Sequence, residues 1–205
     1  MIVTFFGSPG SGKGTQAELA AEALGLAHVS TGKHFRREIQ RNSALGTEIR
    51  DVIEAGKLVT DEIVNELVFQ LIDEIPGVLL DGFPRNVFQA GSLDEFLLRK
   101  KRKLDGAVFL DVPEAEAVGR LAGRRHCTSC GAHAFFSDDT CNFCGAALVR
   151  RTDDDPGVIH RRFEEYRLQT APLEAFYAGR LVRVDGIGAV KQVHSRVLKA
   201  MEPWL

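Results

Sequence analysis

No run in this sequence approaches the roughly 18 apolar residues that a helical membrane span requires. The N-terminus opens on the strand-like IVTFF of residues 2–6 instead of a charged leader. A membrane partner is therefore not expected, and the chain reads as cytoplasmic. Charge of one sign is also missing: the net charge of −2 supplies no global basic field, so nucleic acid is not an expected partner. Attraction for polyanions would have to come from local clusters of arginine. Internal repeats and low-complexity tracts are absent. Cysteine is scarce, and all four residues fall between Cys127 and Cys144, which in a cytosolic chain points to metal more than to disulfides. What remains is ordinary: 205 residues, 44% hydrophobic and 26% charged, enough for one well-buried main domain with smaller excursions. Nothing demands more than a monomer.

The order of elements is legible in the apolar pattern. Residues 2–6 form a short apolar run, and Ala17, Ala20, Ala21 and Leu24 then recur at helical spacing. VLLDGFPRN (78–86) and AVFLDVPEAEA (107–117) repeat one theme, an apolar strand closed by an aspartate before a turn into a helix. AHV at 27–29 and LVRV before Asp185 bring the strands to five, with a last helix near 188–201. Continuous apolar runs suit parallel strands buried on both faces. Alternating strands and helices predict a doubly wound α/β fold with ligands at the carboxyl ends of the strands. The helix around Ile63, Val64, Leu67, Val68, Leu71 and Ile72 is expected to lie on the sheet. The basic run RKKRK (99–103) reads as a solvated helix end. Two segments break the alternation, and they divide the chain into a core (1–29, 60–121 and 159–205), a helical flap (30–59) and a cysteine-bearing lid (122–158).

The stretch GSPGSGKGTQ (7–16) fits the phosphate-binding pattern G-x-x-x-x-G-K-[ST] through Gly7, Gly12 and Lys13, then places Gly14 where the hydroxyl belongs and defers it to Thr15. A glycine-rich turn between strand and helix aims several backbone N–H groups at an anion, and the helix adds about half a unit of positive charge. Gly10, Ser11, Gly12, Lys13, Gly14 and Thr15 are thus the expected phosphate cradle. Without a hydroxyl at position 14, Mg²⁺ would be held mainly by nucleotide oxygens and water, with Asp81, or failing it Asp111, orienting the waters. CTSCG and CNFCG are two C-x2-C-G knuckles, and four thiolates make a closed structural Zn²⁺ site. Cys127, Cys130, Cys141 and Cys144 are its expected ligands, with iron the alternative occupant and His126 and His133 the alternative ligands. Ten residues separate the knuckles, fewer than the usual span of about 15–20, so a shortened lid is expected.

GSPGSGKGTQ together with STGKHFR (30–36), GKLVTD (56–61), DGFPRN and Gln89, RLAGRRHC (120–127) and RRTDD (150–154) resembles adenylate kinase, in the long-lid, zinc-bearing branch of the nucleoside monophosphate kinases. The motifs run in family order over nearly the whole chain. The resemblance implies MgATP + AMP ⇌ MgADP + ADP on a five-stranded parallel core with two closing flaps. It implies an AMP side formed by Thr31, Arg36, Gly56, Leu58, Val59, Gly82, Arg85 and Gln89. Arg120 and Arg124 would serve ATP, and Arg151 and Arg162 the phosphoryl in transfer. Arginine suits such work because its planar fork can hold two phosphate oxygens and stays charged. Arg125, Arg150 and Arg161 read as solvent-facing charges. Asn86 is similar to UMP/CMP kinase relatives, so an acceptor other than AMP stays open, as does a nucleotide-binding zinc module without turnover. After STG the family usually carries an acidic residue, whereas Lys33 stands here. It either joins Arg36 in attracting the acceptor phosphate or is a tolerated surface lysine.

Overall fold

The strand β1 (Ile2–Gly7) runs up the middle of the molecule and leads through the glycine-rich turn into helix α1 (Lys13–Leu24). A computed structural model of the chain describes all residues except 128, 131, 132 and 136–138, with the backbone alone described for 133–135. After α1 come β2 (Ala27–Ser30), the helices α2 (Thr31–Gln40), α3 (Ala44–Glu54) and α4 (Asp61–Ile72), then β3 (Val78–Asp81). Helix α5 (Val87–Arg99), β4 (Gly106–Asp111) and α6 (Glu114–Gly123) lead into three short strands, β5 (Arg124–Cys127), β6 (His133–Phe135) and β7 (Leu148–Val149). The chain closes with α7 (Pro156–Glu165), a π-helical turn over Tyr166–Thr170, α8 (Leu173–Phe176), β8 (Leu181–Asp185) and α9 (Val190–Met201).

Five strands pair in the order β2-β3-β1-β4-β8, every pair parallel. These are the five read from the sequence. Their alternation sorts side chains onto two faces. Ile2, Phe6, Leu80, Ala107 and Phe109 meet Val64, Val68 and Ile72 of α4 and Leu93 and Leu97 of α5 on one side. Val3, Phe5, Leu79, Val108 and Leu110 meet Ala17, Ala20 and Ala21 of α1 and Val193, Val197 and Met201 of α9 on the other. Small alanines on α1 bring that helix close to the sheet, and with it the turn that precedes Lys13. Register aligns the carboxyl ends: Phe5 and Ser30 both stand opposite Asp81.

Local chemistry explains the helix starts that aim the loops. Ser30, Ser43, Asn86 and Asp155 cap α2, α3, α5 and α7 by accepting a backbone N–H, satisfying donors that the helix leaves orphaned. Pro156 opens α7, where a missing N–H costs nothing. Two expectations need correction. The stripe that α4 buries is narrower than the periodicity suggested, since Leu71 is exposed. Arg102 in the basic run is no solvated charge, because its guanidinium donates to the carbonyls of Ile72 (3.1 Å), Ile75 (2.5 Å) and Pro76 (3.2 Å) and closes the C-terminal end of α4. The small antiparallel sheet β6-β5-β7 carries no periodicity long enough to read in the sequence. Among the described residues no helix is long and apolar enough to cross a membrane.

Leu80 is fully buried at the centre of the larger core. Leu80→Ala is expected to lower unfolding free energy by about 2–5 kcal/mol, the range for a cavity at a close-packed site. Urea denaturation measures it, and a loss under about 1 kcal/mol would show that this layer is not close-packed.

Candidate active site

The site begins with the turn between β1 and α1. A Cβ at Gly10 (φ +82°) would lie 2.3 Å from the Ala117 carbonyl oxygen, so only glycine lets the loop approach α6. Gly14 answers the missing hydroxyl. A Cβ there would stand 3.2 Å from Asp81 Oδ2, and a larger side chain would displace the carboxylate from the cradle. No side chain caps α1, so the N–H groups of its first turn remain available to an anion. The buried hydroxyls of Ser8 and Ser11 have no partner among the described residues. Lys13 Nζ is 3.3 Å from the Ser8 carbonyl. Arg120 lies over the loop, donating to the carbonyls of Ser11 (3.3 Å) and Gly186 (3.1 Å).

Beside this loop a cavity of about 190 Å³ is lined from three directions. Lys13, Gly14, Asp81, Gly82, Arg85 and Gln89 come from the sheet edge. Thr31, Lys33, Arg36, Gly56, Leu58 and Val59 come from the segment that holds α2 and α3. Arg124, Arg151, Asp153 and Arg162 come from the far side. Eight Lys and Arg side chains line it against three carboxylates, those of Asp81, Asp153 and Glu165, an excess that suits a polyphosphate. Phe35, Ile53, Val59 and Val64 add an apolar wall at one end. Of these, Val59 was expected from sequence. Phe35, Ile53 and Val64 carried no signal apart from ordinary core residues. Gly10, Ser11, Gly12, Thr15 and Arg120 are not part of this lining and form the loop side.

The charges are held by one another. Arg124 Nε and Nη2 grip the two oxygens of Asp154 at 2.7 and 2.6 Å. Arg151 grips Asp153 in the same two-pronged way, and Arg162 Nη1 bridges Asp154 Oδ1 (2.8 Å) and the Asp153 carbonyl (2.9 Å). Each bidentate pair occupies two of a guanidinium's five N–H donors and fixes its plane. Burial pulls Arg36, Arg85, Arg124 and Arg162 below the ordinary arginine range, Arg124 to about 10, and repulsion from Arg151 adds to it. Burial likewise pulls the Lys13 ammonium down to about 7 against the attraction of Asp81. Asp81 itself would be raised by burial, but His28, Lys13 and Ser30 together hold it at about 2. Ser30 Oγ donates to it at 2.8 Å, and His28 Nε2 stands 3.7 Å away. A site whose cations are depressed in this way gains when an anion arrives.

Positioning reaches further than the motifs. Arg85 is clamped along its backbone: its N–H donates to Gln89 Oε1 (2.8 Å), its carbonyl accepts from Thr170 Oγ1 (2.7 Å), and its Nε donates to the Gly82 carbonyl (3.0 Å). Gln89 Nε2 donates to Asp61 (2.7 Å), and so does Asn86 Nδ2 (2.9 Å). Asn86 thus caps α5 and braces Asp61, and it does not line the cavity. Thr31 Oγ1 donates to the Gly82 carbonyl (3.1 Å). Asp111 is exposed, 3.6 Å from Arg183, and does not line the cavity. Arg150 donates to the Asp154 carbonyl (2.5 Å) and Arg125 to that of Arg124 (3.3 Å). Arg161, read as solvent-facing, donates to the Ala55 carbonyl (3.1 Å) at the end of α3.

The sequence model of one protein family, described as adenylate kinase, matches residues 5–182. The chain belongs to the adenylate kinase family. It is 41% identical over 212 residues to an adenylate kinase of Clostridium botulinum strain Eklund 17B, covering 98% of this chain and 99% of that one. Identity is 39% over 214 residues with one from Streptomyces avermitilis, covering 98% and 97%. It is 42% over 199 residues with one from Anaeromyxobacter strain K, covering 92% and 93%. The family accounts for a phosphotransferase built on this sheet.

In this kinase the four cysteines also converge. The sulfurs of Cys127, Cys130, Cys141 and Cys144 lie within 4.8 Å of one another, with Cys127–Cys144 at 3.4 Å and Cys130–Cys141 at 3.6 Å. Sulfurs about 2.3 Å from a tetrahedral ion would stand about 3.8 Å apart, so the set fits a four-coordinate metal. Amide donation, the Cys130 N–H foremost and then that of Ser129, pulls the Cys127 thiol down to about 6, favouring the ligating thiolate. His126 is not in the cluster, and the side chain of His133 lies outside the described residues. The central strand β5 delivers the first knuckle, and its pairing of Cys127 with Leu148 returns the second, which is how ten intervening residues suffice.

Lys13 is expected to make the binding of a polyphosphate proton-linked. At pH 8 a group titrating near 7 is mostly neutral in the free kinase, and a bound polyphosphate restores its charge. Binding of ATP is therefore expected to take up protons at pH 8 and to weaken as pH rises through the range where the free Lys13 titrates. Calorimetry in buffers of different ionisation enthalpy checks this. Uptake should vanish in Lys13→Met, and equal uptake in that variant would assign the proton elsewhere.

Proposed function

We propose that the chain catalyses reversible transfer of the γ-phosphoryl group of ATP to the phosphate of AMP, giving two ADP. The observation that supports the reading is the cavity beside the glycine-rich turn, where apolar side chains and basic groups from three directions meet. An acceptor phosphate oxygen attacks the γ-phosphorus while its bond to the β-bridging oxygen breaks, and the displaced charge stays on the ADP that leaves. No covalent participation by protein is needed; alignment and charge neutralisation do the work.

Catalytic roles go to Lys13, Asp81, Arg85, Arg120, Arg124, Arg151 and Arg162. ATP is assigned to Gly10–Thr15, Arg120 and Arg124, where the uncapped start of α1 supports the cradle. AMP is assigned to Thr31, Arg36, Gly56, Leu58, Val59, Gly82, Arg85 and Gln89, with Arg151 and Arg162 over its phosphate. Residues 30–59 act as the acceptor flap and 122–158 as the lid, on a core of 1–29, 60–121 and 159–205. Asp81 is the carboxylate that would orient the waters of an ATP-borne Mg²⁺, which when bound would supply charge neutralisation to the phosphates. Cys127, Cys130, Cys141 and Cys144 would hold Zn²⁺, which would supply a structural cross-link between the two knuckles. The kinase works as a cytoplasmic monomer on ATP, AMP and ADP, with no nucleic-acid or membrane partner.

ADP formation from ATP offered AMP, CMP, UMP or GMP tests the reading. AMP should be preferred with two ADP formed per ATP consumed, and Arg85→Ala should lower kcat/KM by about 100-fold or more. Preference for CMP would assign a different acceptor, and slow hydrolysis indifferent to acceptor would make the chain a nucleotide-binding module. Metal analysis should find one Zn²⁺ per chain, with Cys130→Ser losing it and unfolding the lid at lower temperature. Stoichiometric protein without metal, with full activity, would remove the metal assignment.

A further inference from the structure

Lys33 is the motif residue that the function leaves unexplained. It sits in the first turn of α2, where its charge opposes the helix dipole, and it lines the same cavity as Lys13, Gly14 and Arg36. Its backbone is tied to the phosphate cradle by a short relay: the Lys33 N–H donates to Ser30 Oγ (3.4 Å), and Ser30 Oγ donates to Asp81 Oδ2 (2.8 Å). Its ammonium is 2.7 Å from Glu18 Oε2. Glu18 follows Gly14 by four residues on α1, so it stands directly above the first turn of that helix, about 6 Å along the axis. The Lys33 charge is thus parked one helical turn from the N–H groups that would hold phosphate.

The parking is weak. The Glu18 side chain is 55% exposed and that of Lys33 27%, and an ion pair open to water on one side contributes little. A phosphoryl group seated at the start of α1 carries more charge than one carboxylate, and Lys33 bears its charge on a flexible four-carbon stem that lines the same cavity as Lys13 and Gly14. Resting on the proposed kinase reading, we infer that Lys33 is a phosphate ligand held in reserve by Glu18: it exchanges that carboxylate for phosphoryl oxygens when nucleotides span the cleft, so that the acceptor flap itself delivers a cation to the transferring group.

The test uses the full chain and a two-headed adenosine pentaphosphate, with affinity read by calorimetry and folding by thermal melts. Lys33→Met is expected to weaken that ligand by about tenfold, as loss of a charge-assisted contact, and Lys33→Arg to restore most of it. Glu18→Gln should leave affinity unchanged or tighten it, because a competitor has gone. The exchanged pair, Lys33→Glu with Glu18→Lys, rebuilds the ion pair but puts a carboxylate on the flap, and it should stay weak. Unchanged affinity in Lys33→Met overturns the inference. So does recovery in the exchanged pair, or a loss in Glu18→Gln matching that of Lys33→Met, since each marks a purely structural bridge. A native chain that forms no ADP from ATP and AMP would instead sink the kinase reading. An active chain indifferent to Lys33 sinks this inference alone.

Discussion

Everything at the carboxyl edge of the sheet follows from one constraint: more positive charge is gathered there than the protein's own carboxylates can neutralise. Six cations, Lys13, Arg36, Arg85, Arg124, Arg151 and Arg162, act on one another through a partly dry cleft, and each of those with a resolved shift titrates below its ordinary range. Such an assembly is unfavourable in isolation. It persists because a rigid scaffold over-determines it. The alanine face of α1 seats the phosphate loop, parallel register sets Ser30 and Phe5 opposite Asp81, and three hydrogen bonds clamp Arg85. Stability of the core is what holds the site in a state that favours an anion.

The parallel sheet was legible because its strands are buried on both faces and so read as continuous apolar runs. The turn between β1 and α1 was legible because its glycines recur in a fixed rhythm, and the convergence of the cysteine pairs because their spacing is short. What escaped has a physical reason in each case. Arg102 and Arg161 look like surface charges, and their use as caps on carbonyls of Ile72, Ile75 and Ala55 depends on elements far away in sequence. Asp61 and Thr170 are common polar residues whose roles appear only when helix packing brings them to Gln89 and Arg85. Asn86 looked like a mark of acceptor choice, and the structure gives it the plainer work of a helix cap. The small antiparallel sheet has strands of two to four residues, too short for any alternation to register.

Asp153 and Asp154 show why arginine and not lysine fills the far side of the cleft. A lysine paired with either carboxylate would spend its single point charge there. A guanidinium gripped through Nε and one Nη keeps its remaining N–H donors in a fixed plane. Arg124 and Arg151 are therefore oriented by carboxylates that neutralise them in part without consuming them. The same two aspartates belong to the stretch that leads through the Asp155 cap into α7, and α7 carries Arg162. Orientation of three arginines and the direction of that helix are thus one structural decision.

That decision extends to the opposite flap. Gly56 has no Cβ where Val158 Cγ1 of α7 approaches to 2.8 Å of the position one would take, and Arg161 from the next turn binds the Ala55 carbonyl at the end of α3. The segment that holds α2 and α3 and the arginine-bearing helix therefore touch each other directly. Any separation of the two has to break that contact. The two sides of the cavity are thus joined through a glycine that lines it and one exposed arginine that does not.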